Sequence, residues 1–335
     1  MIRRFTSLSL MAICLLALPQ IAPAPLIYRP GEGWTYEPVG REGKWRRDRA
    51  KDQLEVAQTA FEKRDYNLAL QAARRVVSQW PLSDYAPQAQ YLVGRCYEAK
   101  KQDEKAFKEY QKLLEKYPKS TNSQEVLVRQ FEIANRFLAG QSFKLWGYIP
   151  FFPSMGRTAE LYKKIASIGP YSDIAPQAQL NIGTAYEKKK VLWFKKPDYS
   201  EAVKAYEIAA DRYFDRTNIA AEAIYRAGLA YAKQARTAEY DQSTAAKAIA
   251  TLNDFVTLFP DDQRVSEAQK LVESLKAEQA RGSYEIARFY EKRQRWSGAL
   301  VYYNEVLLLD PTSKLASAAR EKIDALKQLT KKTSN

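Results

Sequence analysis

Residues 81–101 read PLSDYAPQAQYLVGRCYEAKK, and residues 170–190 read PYSDIAPQAQLNIGTAYEKKK. Two near-copies of one segment in a chain of 335 residues mean a repeat architecture. A single repeat cannot bury its apolar face alone, so it buries that face against its neighbours, and the product is a stacked helical scaffold. Such scaffolds usually hold other proteins.

The spacing inside each copy defines its elements. Gly94 is followed by Tyr97, Ala106, Tyr110 and Pro118. The last copy repeats those gaps with Ala287, Tyr290, Ala299, Tyr303 and Pro311, and an early copy repeats them with Ala57, Ala60, Ala69, Ala73 and Pro81. A small residue and its partner one turn later share one face of a first helix. Ala106 or Ala299 opens a second helix that must approach the first closely, and the tyrosine four residues on fills the space beside that crossing. The proline ends the second helix, because it has no N–H and biases the residue before it away from helix. This spacing resembles the tetratricopeptide repeat, a pair of antiparallel helices about 34 residues long.

Three more copies carry insertions between their helices. Ala134 and Phe137 precede Thr158, Tyr162 and Pro170 with 12 extra residues; Gly183 and Tyr186 precede Ala202 and Tyr206 with 7; Gly228 and Tyr231 precede Ala248, Leu252 and Pro260 with 8. Residues 263–281 form an amphipathic stretch running towards the last pair, and Lys314–Leu329 reads as a polar-backed helix covering the open end. The expected architecture is an all-α tetratricopeptide-repeat solenoid of about six helix pairs with a C-terminal capping helix, over residues 49–335 and without strand alternation.

The N-terminus is a different kind of text. Arg3 and Arg4 precede an apolar run from Leu8 to Leu18, then Pro19 and the small residues Ala22 and Ala24. Residues 1–24 therefore read as a secretory signal, which places the mature chain outside the cytosol. Cys14 lies within the apolar run, with bulky Ile13 before it and Leu15 and Leu16 after it, a context that argues against a lipid anchor there. Residues 25–48 are aromatic, turn-rich and extended. They read either as a tether with an embedded recognition motif or as a strap lying on the first helix pair.

Composition excludes much chemistry. The chain has no histidine, which removes Ser-His and Cys-His nucleophilic sites and the commonest metal ligand. Cys96 is the only cysteine beyond the signal, and RPGEGW at 29–34 is a Pro-Gly turn, not a phosphate loop. No catalytic residue, cofactor, metal or small-molecule substrate is expected, and the chain reads as no enzyme. The net charge of +14 finds no nucleic-acid motif beside it; anionic lipid headgroups, envelope polymers or acidic proteins suit an exported chain better.

The binding candidates are the insertions. Residues 140–156 carry Phe143, Trp146, Tyr148, Ile149, Phe151 and Phe152 with two prolines. Residues 188–197 place Leu192, Trp193 and Phe194 between lysines, and a milder insertion spans 237–244. All fall between first and second helices, so they would share one edge of the solenoid and meet a membrane surface or a protein partner. The competing reading folds the aromatics of 140–156 back as padding on adjacent helices. First-helix positions expected to face the groove are Leu54 and Gln58, Tyr91 and Arg95, and Leu180 and Thr184; they suit an extended apolar or aromatic peptide.

A secretory signal, the P-x-S-x-x-A-P-Q-A-Q join at Pro81–Gln90 and Pro170–Gln179, and YEIARFYEKRQRWSGALVYYNEVLLLDP at 284–311 occur in one order. In that order the chain resembles the BamD-type (YfiO-like) family of tetratricopeptide outer-membrane assembly proteins over most of residues 49–329. The resemblance implies a periplasmic scaffold at the inner face of the outer membrane, binding the soluble domains of the β-barrel insertase and unfolded outer-membrane protein segments. The alternative is a periplasmic adaptor that coordinates cell-wall or division proteins.

Overall fold

The computed structural model describes residues 26–36, 45–145, 149–150, 153–189, 197–237 and 242–333. The chain divides into two compact units, residues 1–123 and 124–335.

The first unit holds β1 (Leu26–Arg29), β2 (Gly33–Tyr36), α1 (Ala50–Glu62), α2 (Tyr66–Gln79), α3 (Ala86–Ala99) and α4 (Asp103–Lys116). In α1 the buried residues Ala50, Gln53, Leu54, Ala57 and Ala60 recur every three or four positions, which is the stripe that packs on α2. The turns inside the pairs are made by Arg64 (φ 60°) and Lys101 (φ 55°), left-handed residues that end the first helix without a glycine. Asp65 then caps α2, its carboxylate accepting the Leu68 N–H at 3.1 Å.

Residues 26–36 belong to the segment expected to be extended ahead of the solenoid. They form an antiparallel hairpin in which Tyr28 faces Trp34. Gly31 (φ 78°) and Gly33 (φ 74°) supply the left-handed conformations of its turn. That turn lies on the first repeat. The Gly31 carbonyl accepts from the Asp84 N–H at 2.7 Å and the Ser83 hydroxyl at 3.1 Å. The buried Glu32 accepts the Lys51 N–H at 3.3 Å, capping a helix whose own N-cap residue, Arg49, offers no side chain for the purpose. Residues 37–44 of the same segment lie outside the described residues.

The second unit holds α5 (Ser123–Leu138), β3 (Lys144–Leu145), β4 (Ile149–Pro150), α6 (Met155–Ile168), α7 (Ala175–Glu187), α8 (Tyr199–Arg212), α9 (Thr217–Thr237), α10 (Gln242–Leu258), α11 (Val265–Lys292), α12 (Trp296–Leu309) and α13 (Lys314–Thr333). The amphipathic stretch at 263–281 continues without a break into the first helix of the last pair, so α11 spans 28 residues. Helix α13 buries Ala319, Ile323 and Leu326 against Tyr303 and Val306 of α12, as a capping helix should.

The helix crossings show why the small residues recur. A methyl group on Gly94 would lie 2.2 Å from the Tyr110 ring, one on Gly183 2.4 Å from Tyr206, and one on Gly228 2.6 Å from Leu252. At the first two crossings the ring of the second helix rests directly on the backbone of the first, and at the third a leucine takes that place. Each tyrosine hydroxyl then donates to a carboxylate four residues beyond the small residue: Tyr110 to Glu98 at 2.8 Å, Tyr206 to Glu187 at 2.8 Å and Tyr303 to Glu291 at 2.6 Å. Tyr162 finds the Asn135 amide oxygen instead, at 2.5 Å. Burial, with the neighbouring carboxylate, pushes the phenols of Tyr206 and Tyr303 well above their usual range.

Gly94→Ala should therefore lower stability by about 1–3 kcal/mol through overpacking. Gly156→Ala, whose added carbon would meet only Lys189 at 3.9 Å, should leave it unchanged or raise it. Urea midpoints of the two variants decide. The Glu291 carboxyl carries a pH signature. Burial opposes its ionisation, but hydrogen bonds from Lys322 and Tyr303 outweigh that and hold it below the usual carboxylate range. Its stabilisation is complete above the ordinary pKa of 4.5 and is lost as pH falls through the depressed value. Lys322→Met should cost stability at neutral pH and converge on the parent in acid, read from urea midpoints across that range.

Candidate protein-binding site

Tyr91 and Arg95 stand one turn apart on α3, both half-buried. The Arg95 Nη1 donates to the Tyr91 hydroxyl at 3.0 Å. Its guanidinium lies 5.5 Å from the Phe61 ring centre at the end of α1 and 5.7 Å from that of Tyr91. With Gln58, Gln88 and Asn122 these side chains line an open cleft of about 320 Å³ within the first unit. The bond to Tyr91 uses one of the five guanidinium donors, and the aromatic faces hold the cation in place. A fixed cation on an aromatic floor with an amide rim is suited to an extended segment that offers an aromatic side chain and a carboxylate.

The other groove positions read from the sequence are not all open. Leu54 and Leu180 are buried in helix-packing faces, because each lies on the apolar stripe of its own helix. Gln58 does reach the cleft. Thr184 accepts from the Arg226 Nη1 at 2.8 Å and belongs to a network between repeats. In that network Arg226 and Arg264 both bind the Glu222 carboxylate, and Arg264 holds Asp262 in a forked pair at 2.7 and 2.8 Å. The bond from Arg264 pulls the Asp262 carboxyl down to about 2. Arg264 also lies over the rings of Tyr225 and Phe255 at 4.9 and 5.4 Å, so these charges tie helices together.

A second cleft of about 330 Å³ opens between α9, α10 and α11, where Arg236, Arg281, Glu278 and Glu285 face it. Arg236 and Glu278 pair at 3.7 Å across it. Its mixed charge selects no single ligand class.

In the insertion at 140–156, Phe143 packs on the adjacent helices. Phe143 is buried and stacks on Phe137 with ring centres 4.1 Å apart, while the Arg157 guanidinium covers its other neighbourhood at 4.1 Å. Strands β3 and β4 pair Lys144 with Pro150 and Leu145 with Ile149. Trp146, Tyr148, Phe151 and Phe152, and likewise Leu192, Trp193 and Phe194, lie outside the described residues.

Sequence reasoning missed Phe61, although it follows the small residue Ala57 by the same four positions that separate Gly94 from Glu98. It also missed the three carboxylates under the tyrosines, whose constant offset in Glu98, Glu187 and Glu291 was the available signal. Cys96 is buried, and that burial, only partly offset by Lys100 and Arg95, pushes its thiol up to about 11. It stays protonated and is a poor nucleophile at neutral pH. Among the described residues no cluster of His, Cys, Asp or Glu could hold a metal, and no helix is long and apolar enough to cross a membrane.

Two family models match parts of the chain. A tetratricopeptide-repeat model matches residues 88–120, the pair that carries Tyr91, Arg95 and Tyr110. The chain is similar to the solved structure of the apo form of RapI, with 16% identity, covering 82% of this chain and 76% of that one, at a TM-score of 0.32. It is also similar to a tetratricopeptide repeat protein from Parabacteroides merdae, with 11% identity over 83% of this chain and 98% of that one, at a TM-score of 0.31. None of the curated proteins matches it. The model of the YfiO family, described as outer membrane lipoprotein, matches residues 154–335, from the start of α6 through the capping helix. This all-α tetratricopeptide chain belongs to the YfiO family of outer membrane lipoproteins.

Proposed function

We propose that the chain is a BamD-like scaffold of outer-membrane β-barrel assembly, working in the periplasm at the inner face of the outer membrane. The observation that carries this reading is the family match across residues 154–335. In it the repeats bind the soluble domains of the β-barrel insertase, and the protein performs no chemistry of its own. The cleft at Phe61, Tyr91 and Arg95 supports a receiving role. Unfolded barrel segments are extended and rich in aromatic residues, and a desolvated aromatic ring or a terminal carboxylate would be matched by that lining.

The insertions are assigned the contacts with membrane or partner: Trp146, Tyr148, Phe151 and Phe152 in one, Leu192, Trp193 and Phe194 in the other. Ile13 and the apolar run beyond Cys14 disfavour a lipid at that cysteine, and aromatic loops flanked by lysines would supply membrane contact in its place.

Affinity capture of the tagged full-length protein from detergent-solubilised envelopes tests the reading. Recovery of a β-barrel insertase with soluble repeat domains, in amounts comparable to the bait, is the expected result. Recovery of cell-wall or division proteins in its place would move the function to an adaptor of that machinery. Arg95→Ala should weaken binding of a peptide with an aromatic C-terminal residue about tenfold or more, since a hydrogen bond to a charged group contributes roughly 1.5–3 kcal/mol. Isothermal titration measures it. Trp193→Ser with Phe194→Ser should weaken partner or vesicle binding without lowering the melting temperature; a large fall in melting temperature would show that these rings pad the helices.

A further inference from the structure

The N-terminal hairpin exposes what a fold normally covers. Tyr28 is 58% and Trp34 67% exposed, and the two rings face each other across the strands with centres 5.4 Å apart. Neither ring belongs to the buried core, so their exposure is not required for packing the repeats. A two-stranded hairpin alone is marginal in water. This one is held by its turn: Gly31 binds Ser83 and Asp84, and Glu32 caps α1. The rings are thus presented on a rigid support, and a surface that meets them pays little to order them.

The chain that enters α1 lies beside that turn. Gln53 fixes it by accepting the Arg47 N–H at 2.8 Å and donating to the Trp45 carbonyl at 3.3 Å, and the Arg46 guanidinium lies over Trp45. Arg46 and Arg49 are exposed. Asp48 and Asp52 are the acidic residues of this stretch, Glu32 is buried as the helix cap, and the exposed Asp84 lies at the hairpin turn. This part of the first unit therefore carries amphipathic rings and Arg46, Arg47 and Arg49, with Asp48, Asp52 and Asp84 as the carboxylates near them.

We propose that the hairpin and residues 45–49 form a foot that rests on an anionic lipid surface, with Tyr28 and Trp34 at the level of the headgroups and the arginines on lipid phosphates. Tyr and Trp suit that depth because an apolar ring can leave water while its O–H or N–H stays solvated. Arginine pairs with phosphate through parallel hydrogen bonds. The inference does not depend on which proteins the repeats bind.

Hydrogen–deuterium exchange of the mature chain, without the secretory signal of residues 1–24, tests it, because the readout is local to each segment. Vesicles of phosphatidylethanolamine and phosphatidylglycerol should slow exchange in 26–36 and 45–49 roughly tenfold while α2 and α4 stay unchanged. Tyr28→Ser with Trp34→Ser should abolish the slowing. If that variant loses the hairpin itself, Arg46→Gln with Arg49→Gln, outside the strands, should reduce it. Absence of slowing, equal slowing in both variants, or equal slowing by phosphatidylcholine alone would overturn the proposal. So would a photo-cross-linker at position 28 that gives a protein adduct, a second copy of this chain included, in place of lipid adducts.

Discussion

The contact on which the rest depends is a tyrosine ring laid on the bare backbone of the neighbouring helix. Where Gly94 or Gly183 removes the side chain, the ring of Tyr110 or Tyr206 occupies its place. The helices come close enough for the hydroxyl to reach a glutamate one turn further on. A buried phenol without a partner would be costly, whereas a hydrogen bond to a charged acceptor contributes about 1.5–3 kcal/mol. Shape and polarity are thus satisfied by one residue pair, and the pair sets the spacing of the helices. The cleft that holds Arg95 is a consequence, since it is the space left between first helices placed in this way.

A stack of repeats has ends, and an uncovered end would expose an apolar face to water. At the C-terminal end the solution is familiar: α13 brings alanines, an isoleucine and a leucine onto the last pair, and Lys322 binds the same Glu291 that receives Tyr303. The cap and the crossing are therefore linked through one carboxylate. At the N-terminal end a hairpin turn is bonded to the first repeat through polar groups. Its glycines let the turn approach the 81–85 join, and Glu32 supplies the helix cap that Arg49 cannot.

The candidate site was legible in part. Tyr91 and Arg95 could be placed together because they are four residues apart on one helix, a local relation. Phe61, which completes the cleft, sits on another helix, and nothing near it in sequence marks it as a neighbour of Arg95. Leu54 and Leu180 show the opposite failure. Repeat alignment assigned them to a groove, while the apolar stripe of each helix buries them. Phe143 followed the padding alternative, because a phenylalanine beside Phe137 and Arg157 gains more from stacking than from water.

Period and spacing alone determined the helix pairs, their order, the prolines that end them and the capping helix. All of these follow from relations within about 30 residues, which chemistry along the chain can encode. The hairpin's seat on the first repeat, the carboxylate beneath each tyrosine and the union of Phe61 with Arg95 were decided only by tertiary structure. Each of these depends on a partner brought close by folding, whether a backbone carbonyl, a ring or a packed helix. The free energy that selects it lies in that contact, and the residue itself carries no local mark of it.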